Sequence, residues 1–287
     1  MVPTRDGLSR VGGAEVLVDG HAHLLDPGSP FSEHMNGDPD LLLHMLDDAG
    51  FDRAVVFAVA PHVSNDFVAD ACRQHPDRFV GFASVDPNAR VYSDPLLAAT
   101  QLEDLLTRFP FKGLKLHPRI QGFSISDPRH TAFFQRVVAL GLPVLIDCIS
   151  QPRSLVPLAD NLPFEVDRLL RAVPGLKIIL AHMGGHRVLD AYCVALAHPH
   201  VYLDLSWVIH LYQGSSVEQD IKFVVKKLAP MRRIVFGTDF PIFNREKTLP
   251  IRYSRDLCMN MFTEIELDQG EVAGIMGDTI ADLLGLH

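Results

Sequence analysis

Short apolar runs and longer amphipathic stretches alternate along the chain. Eight runs are rich in Val, Ile, Leu or Phe and end in polar, Gly or Pro residues: 14–23, 53–59, 79–87, 111–118, 142–148, 176–185, 201–206 and 233–241. Runs of this length, bounded by turn signals, predict strands buried on both faces, as in a parallel sheet. Between them the apolar positions recur at helical spacing. Segment 38–50 predicts a helix with Asp38 as N-cap, Pro39 in the first turn and Gly50 as the stop, and 127–141 repeats the device with Asp127, Pro128 and Gly141. Two further helices are predicted over 164–175 and 216–230, the second carrying Lys226 and Lys227 in its last turn, where they suit the helix dipole. The tail 266–286 predicts one or two closing helices.

Strand and helix alternating eight times predict a (β/α)8 barrel, one domain over residues 1–287. A doubly wound open sheet is the competing fold, and the lack of GxGxxG after the first strand weakens it. With 47% hydrophobic and 21% charged residues the chain has the composition of a folded globule, which excludes wholesale disorder. Its net charge of -9, from 26 basic and 35 acidic residues, argues against a nucleic-acid partner. No signal-peptide-like apolar core opens the sequence, and no apolar stretch has membrane-spanning length. Cys72, Cys148, Cys193 and Cys258 are far apart, form no CxxC and read as reduced thiols, so a cytoplasmic protein without a membrane partner is expected.

Barrel enzymes place their chemistry at the C-terminal ends of the strands. Polar residues stand at the predicted ends: His21 and His23 on the first strand, Lys115 and His117 on the fourth, Asp147 on the fifth, His182 on the sixth, Asp204 and Ser206 on the seventh, Asp239 on the eighth. Two residues apart on a strand point to one face, so His21 and His23 can share a metal ion, and Asp239 adds a carboxylate. Such an ion acidifies water and polarises a carbonyl, and Asp239 is placed to take the proton. A lone HxH is weak; HxH with His182 and Asp239 at other strand ends is much more specific. Asp19 reads either as a partner orienting a histidine or as a solvent-facing strand residue. Cys148, adjacent to Asp147, points to the opposite face and reads as a buried thiol. The long segment 24–40 reads as a lid or binding loop. Arg119 is a candidate bidentate clamp for a substrate carboxylate, with Arg187 and Arg245 as further cations at the mouth. Trp207, the only tryptophan, reads as an aromatic wall or an oligomer contact, with His210 nearby.

The motifs DGHAH (19–23), GLKLHP (113–118), LAHMGG (180–185), FGTDFP (236–241) and GDTIADLLGL (277–286), in this order over nearly the whole chain, resemble the amidohydrolase superfamily. They look most like its amidohydrolase-related branch, which includes aminocarboxymuconate semialdehyde decarboxylase. The resemblance implies His21, His23 and Asp239 as metal ligands, Asp239 also as general base, His182 as the residue that polarises substrate or moves a proton, and His117 in the substrate pocket. It implies one divalent ion, zinc first. The family's strand 5 histidine is replaced by Asp147 in LPVLIDC. Asp147 is then either an oxygen ligand, shifting preference toward manganese or magnesium, or the mark of a metal-free site such as metal-independent lactonases have. Lys115 reads as a substrate-binding or structural cation, with carboxylation as the alternative.

These readings converge on a metal-dependent hydrolase of a small, carboxylated ester, lactone or amide. The alternatives are a nonoxidative metal-dependent decarboxylase, a metal-independent lactonase and a barrel that binds a small acid without catalysis. A homodimer is expected by family analogy.

Overall fold

The computed structural model describes residues 13–31, 35–91, 93–152, 154–241, 243–244 and 247–287. Arg245, one of the three expected mouth cations, lies outside the described residues. Eight parallel strands follow one another in sequence order: β1 (Val18–His23), β2 (Arg53–Phe57), β3 (Phe79–Ala83), β4 (Gly113–Leu116), β5 (Pro143–Ile146), β6 (Lys177–Leu180), β7 (Val201–Asp204) and β8 (Ile234–Val235). The sheet closes on itself. Gly20 N–H donates to Phe236 O at 2.9 Å, Asp239 N–H to His21 O at 2.7 Å, and Ala22 bridges Phe240 in parallel register. The result is a single-domain (β/α)8 barrel, as the alternation predicted. No helix among the described residues is long and apolar enough to cross a membrane.

The alternation of the strands sorts the apolar side chains into two layers. Val55 and Phe57, Val80 and Phe82, Leu145, Ile179 and Val235 form an inner cluster, joined by Ile280 and Leu284 from the closing helix Thr279–Leu284. The intervening residues Ala54, Val56, Val144, Ile146, Ile178 and Leu180 face outward and pack with the surrounding helices. Both layers are buried to within a few per cent, so the strand runs read as unbroken apolar segments.

The capping signals act as read. Asp38 accepts from the backbone N–H of Asp40 and Leu41 at the start of helix Pro39–Ala49, and Gly50 ends it in the left-handed region at φ 76°. Asp127 caps a 3-10 turn at Pro128–His130, and the α-helix proper runs Thr131–Ala139. The tail is two short helices, Gln269–Ala273 and Thr279–Leu284, joined through a π turn. The largest boundary change is the eighth strand. Pairing covers only Ile234–Val235 instead of 233–241. Beyond it Thr238 is tied to Asp19 and Asp239 turns into the left-handed region at φ 63°, which takes the backbone off the ladder. The closure needs glycine at 237: a Cβ there would lie 2.7 Å from His21 Cβ.

Candidate active site

Strand geometry brings the first donors together. A register irregularity between Asp19 and Ala22 breaks the regular β1 ladder within the HxH. His21 Nε2 and His23 Nε2 then lie 3.3 Å apart, with Asp239 Oδ1 at 3.2 Å from the first and 3.3 Å from the second. Three donor atoms at these spacings match one face of a tetrahedron with bonds of about 2.0–2.1 Å, the dimensions of a zinc site with nitrogen and oxygen ligands. Asp239 reaches this position through its left-handed backbone, a conformation that costs free energy in a non-glycine residue and is concentrated at functional sites.

A buried carboxylate sets the histidine tautomer. Asp204 Oδ2 accepts from His21 Nδ1 at 2.8 Å, which puts the ring's lone pair on Nε2, where Lys115 Nζ lies 3.1 Å away. Asp204 Oδ1 accepts from the backbone N–H of His182 at 3.0 Å and of Ser206 at 2.9 Å, and from the Ser206 hydroxyl. The Ser206 oxygen in turn lies 3.0 Å from His21 Nδ1 and 2.9 Å from His182 Nδ1. His21, His182 and Asp204 are also close enough to share an ion, but the Ser206 hydroxyl already bonds to all three. Phe57 floors the site, edge-on to His21 at 5.0 Å.

Burial and neighbours tune the charges. Burial pushes His23 down to about 4 against the pull of Asp239, so it is neutral, as a ligand must be. Burial opposes charge on Asp239, but its contacts with His21 and His23 outweigh this and hold it well below the carboxylate range. His182 is raised: burial opposes its charge, and Asp147, Asp239 and Asp204 overcome it. Its Nδ1 faces the Ser206 carbonyl oxygen at 3.0 Å and its Nε2 faces Asp147 Oδ1 at 3.5 Å. An imidazole flanked by two acceptors is suited to carry two protons.

His182 and Met183 adopt left-handed φ of 56° and 50°, followed by Gly184 and Gly185. This strained turn carries His182 off the end of β6 into the cavity. The cavity is about 910 Å³, lined by His23, His117, Arg119, His182, Trp207 and Asp239 with apolar walls that include Phe31, Val63 and Leu155. The 24–40 segment supplies Leu25, Pro30, Phe31 and Met35 to that wall. Trp207 stands edge-on to His182, ring centres 5.9 Å apart.

Several expected residues are placed differently from a simple pocket lining. Lys115 is fully buried beneath the site, its Nζ 3.1 Å from His21 Nε2 and 4.9 Å from the Phe57 ring centre, and it does not line the cavity. Burial lowers its pKa to about 8, against the pull of Asp147, Asp239 and Asp204. Asp147 belongs to no donor group able to share an ion among the described residues; Arg119 Nε and His117 Nδ1 lie 3.2 Å and 3.4 Å from its Oδ2. Arg187 pairs with Asp190 and is half exposed, away from the cavity lining. His210 bonds Ser254 Oγ at 2.8 Å instead of entering the cavity. Asp19 is buried, not solvent-facing: its Oδ1 accepts from the backbone N–H of His21 at 3.2 Å, and it staples β1 to Thr238, the residue before Asp239. Burial lifts Asp19 to about 6 despite these bonds. Cys148 is buried, as read.

The orienting roles of Asp204 and Ser206, and the whole of Asn161, were not foreseen. Asn161 Nδ2 donates to Asp147 Oδ2 at 3.2 Å and to Ile149 O at 3.1 Å. The signal for Asp204 was its place at the end of a predicted strand; Asn161 gave none.

Comparison with known proteins adds the following. The amidohydrolase family model matches residues 18–286. The 2-amino-3-carboxymuconate-6-semialdehyde decarboxylase of Dictyostelium discoideum is 22% identical over 206 residues, 62% of this chain and 55% of that protein, so the chain spans little more than half of it. The gamma-resorcylate decarboxylase of Rhodococcus jostii (strain RHA1) is 22% identical over 262 residues, 71% of this chain and 78% of that protein. The crystal structure of a probable 2-pyrone-4,6-dicarboxylic acid hydrolase from Acinetobacter baumannii superposes with a TM-score of 0.66 at 17% identity, covering 94% of this chain and 99% of that one, a likeness of fold. With nearly its full length matched by the family model, the chain belongs to the amidohydrolase family.

Proposed function

We propose that the protein is a mononuclear metal-dependent hydrolase that cleaves an ester, lactone or amide bond of a small carboxylated molecule. The observation that carries this reading is the triangle of His21 Nε2, His23 Nε2 and Asp239 Oδ1, with edges of 3.2 to 3.3 Å, open to the cavity on the Asp239 side. The donor set fits zinc: two neutral imidazoles and a carboxylate, one imidazole fixed by Asp204. An ion held there supplies an electrophile for a carbonyl oxygen and acidifies a water.

The chain's own groups complete the reaction. Asp239, ionised and at the cavity wall, takes the proton of the attacking water as its oxygen bonds to the carbonyl carbon. His182 returns a proton to the leaving oxygen or nitrogen as that bond breaks. Trp207 and the apolar wall exclude water from the rest of the substrate. Arg119 is the one guanidinium lining the cavity among the described residues, and meets a substrate carboxylate.

A second reading, nonoxidative decarboxylation, is favoured by the names of the two curated relatives, both decarboxylases. There His182 delivers its proton to the carbon as the bond to the departing CO2 breaks. Elemental analysis of protein prepared without chelator is the first test: about one ion per chain, absent from His21→Ala, is expected. Carboxylated lactones, esters and amides, and the parent acids, are then assayed for hydrolysis and for CO2 release. CO2 release alone overturns the hydrolase; no ion after reconstitution overturns both metal-dependent readings.

A further inference from the structure

Asp147 is the residue by which this chain departs from the strand 5 histidine, and its surroundings give it a different task. It is completely buried at the end of β5, with no surface on the cavity. Four groups converge on it. Oδ2 faces Arg119 Nε at 3.2 Å, His117 Nδ1 at 3.4 Å and Asn161 Nδ2 at 3.2 Å, and Oδ1 faces His182 Nε2 at 3.5 Å. Three of the four, Arg119, His117 and His182, line the cavity. The fourth, Asn161, also donates to Ile149 O and so fixes the carboxylate to the backbone just past β5.

We propose that Asp147 is a positioning residue: it holds Arg119 and His182 in register from behind the cavity wall and ligates no metal. The inference rests on the proposed active site. Three arguments support it. The donor triangle closes without Asp147, which joins no group of donors able to share an ion among the described residues. Asp147 Oδ2 already accepts from Asn161 and faces the Arg119 guanidinium, so moving to an ion would take the carboxylate away from that cation. The partners also arrive from separate elements. Arg119 follows β4, His182 follows β6, and a single carboxylate on β5 is the shortest tie between them. A histidine at 147 offers one acceptor at most and cannot hold a guanidinium and an imidazolium together. The substitution therefore exchanges a metal-ligand type for an anchor of the acid and the anion clamp.

The test is Asp147→Asn, compared with His21→Ala. Three readouts are taken: bound zinc by elemental analysis, steady-state kinetics, and emission of Trp207. That emission reports on His182 without a substrate, because Trp207 is the only tryptophan and stands edge-on to it. The proposal expects wild-type zinc content in Asp147→Asn and none in His21→Ala. It expects a change in Trp207 emission that is absent when the same substitution is made in a His182→Phe background. It expects kcat to fall and KM for carboxylated substrates to rise, together by roughly 10- to 100-fold in kcat/KM, the usual cost of losing a partner behind a site residue. Loss of zinc from Asp147→Asn makes it a ligand and overturns the proposal. Unchanged emission with unchanged kinetics overturns it as well. Should Asp147→Asn fail to fold because Arg119 is left unpaired, Asp147→Asn with Arg119→Gln removes that charge, and zinc content and emission are read there with the same meaning. An inactive wild type that keeps zinc and shows the emission change refutes the proposed reaction and leaves the positioning role standing.

Discussion

The ends of β1, β7 and β8 and the ends of β4 and β5 line one mouth, and both regions are built from histidine and aspartate. On the first side three donor atoms converge on one point, with Lys115 Nζ 3.1 Å from one of them, His21 Nε2. Asp204 takes the Nδ1 proton of His21, Ser206 fills the space behind, and three donor atoms are left facing one point. On the second side the charged groups face one another at 3.2 to 3.5 Å around Asp147. Asp147 is held well below the carboxylate range: burial opposes its charge, and the Arg119 guanidinium and His182 beside it prevail. His117 is lowered by burial and stays neutral. On the proposed reading, residue type does not make a metal site; what counts is whether a neighbouring carboxylate fixes a histidine's tautomer or itself faces the cations.

The sharpest break in the comparison is Asp239→Asn. An amide keeps the shape but is a poor base and a weaker ligand. Loss of bound ion and a fall in kcat of about 10²–10⁴ are expected, measured by elemental analysis and steady-state kinetics. A variant that keeps both would move the proton acceptor elsewhere. The next effect is Asp204→Asn. Without the carboxylate nothing fixes His21 as the Nδ1–H tautomer, and zinc affinity is expected to fall by about 10- to 100-fold in a chelator competition. An unchanged affinity would show that the hydroxyl of Ser206 suffices.

This ordering bears on what the sequence discloses. The barrel was legible because each strand is buried on both faces, so the apolar runs are continuous and countable. His21, His23 and Asp239 were legible because HxH obeys the strand period and Asp239 ends the eighth run. The supporting layer was not. Asp204 meets His21 across 183 positions and Asn161 reaches Asp147 from an irregular segment, and no local period encodes such meetings. Lys115 and His117 share a face by alternation, but the sequence does not say that one layer is sealed under His21 while the next reaches the cavity. Asp147 matched a ligand's position in the sequence, while its neighbours Arg119, His117, Asn161 and His182 come from other segments and could not be read from it.

The two sides also differ in acid. The His117 pKa lies well below its usual 6.5 because burial penalises the imidazolium. The unfolded chain therefore takes up a proton first as pH falls below 6.5, and the stability this neutral histidine contributes above that pH is lost on the way down. Asp147, depressed, loses its contribution in the same direction but only below the usual carboxylate range. Denaturant unfolding at pH 7 and pH 5 is expected to show a smaller drop for His117→Gln than for the wild type. Parallel drops would place the acid sensitivity on the β1 and β8 side, where His23 is lowered as well.

The smallest effect sharpens the distinction between an orienting carboxylate and the hydroxyl beside it. Ser206 donates to Asp204 Oδ1, and its oxygen faces the Nδ1 atoms of His21 and His182. Each of those nitrogens has a second acceptor, Asp204 Oδ2 at 2.8 Å for His21 and the Ser206 carbonyl at 3.0 Å for His182. Ser206→Ala therefore leaves neither imidazole without a partner. The loss is one net hydrogen bond, about 1 kcal/mol, or about fivefold in kcat, with zinc stoichiometry unchanged. A loss as large as that of Asp204→Asn would mean that the hydroxyl, not the carboxylate, sets the tautomer of His21, and the open lone pair on that side would then depend on a neutral group.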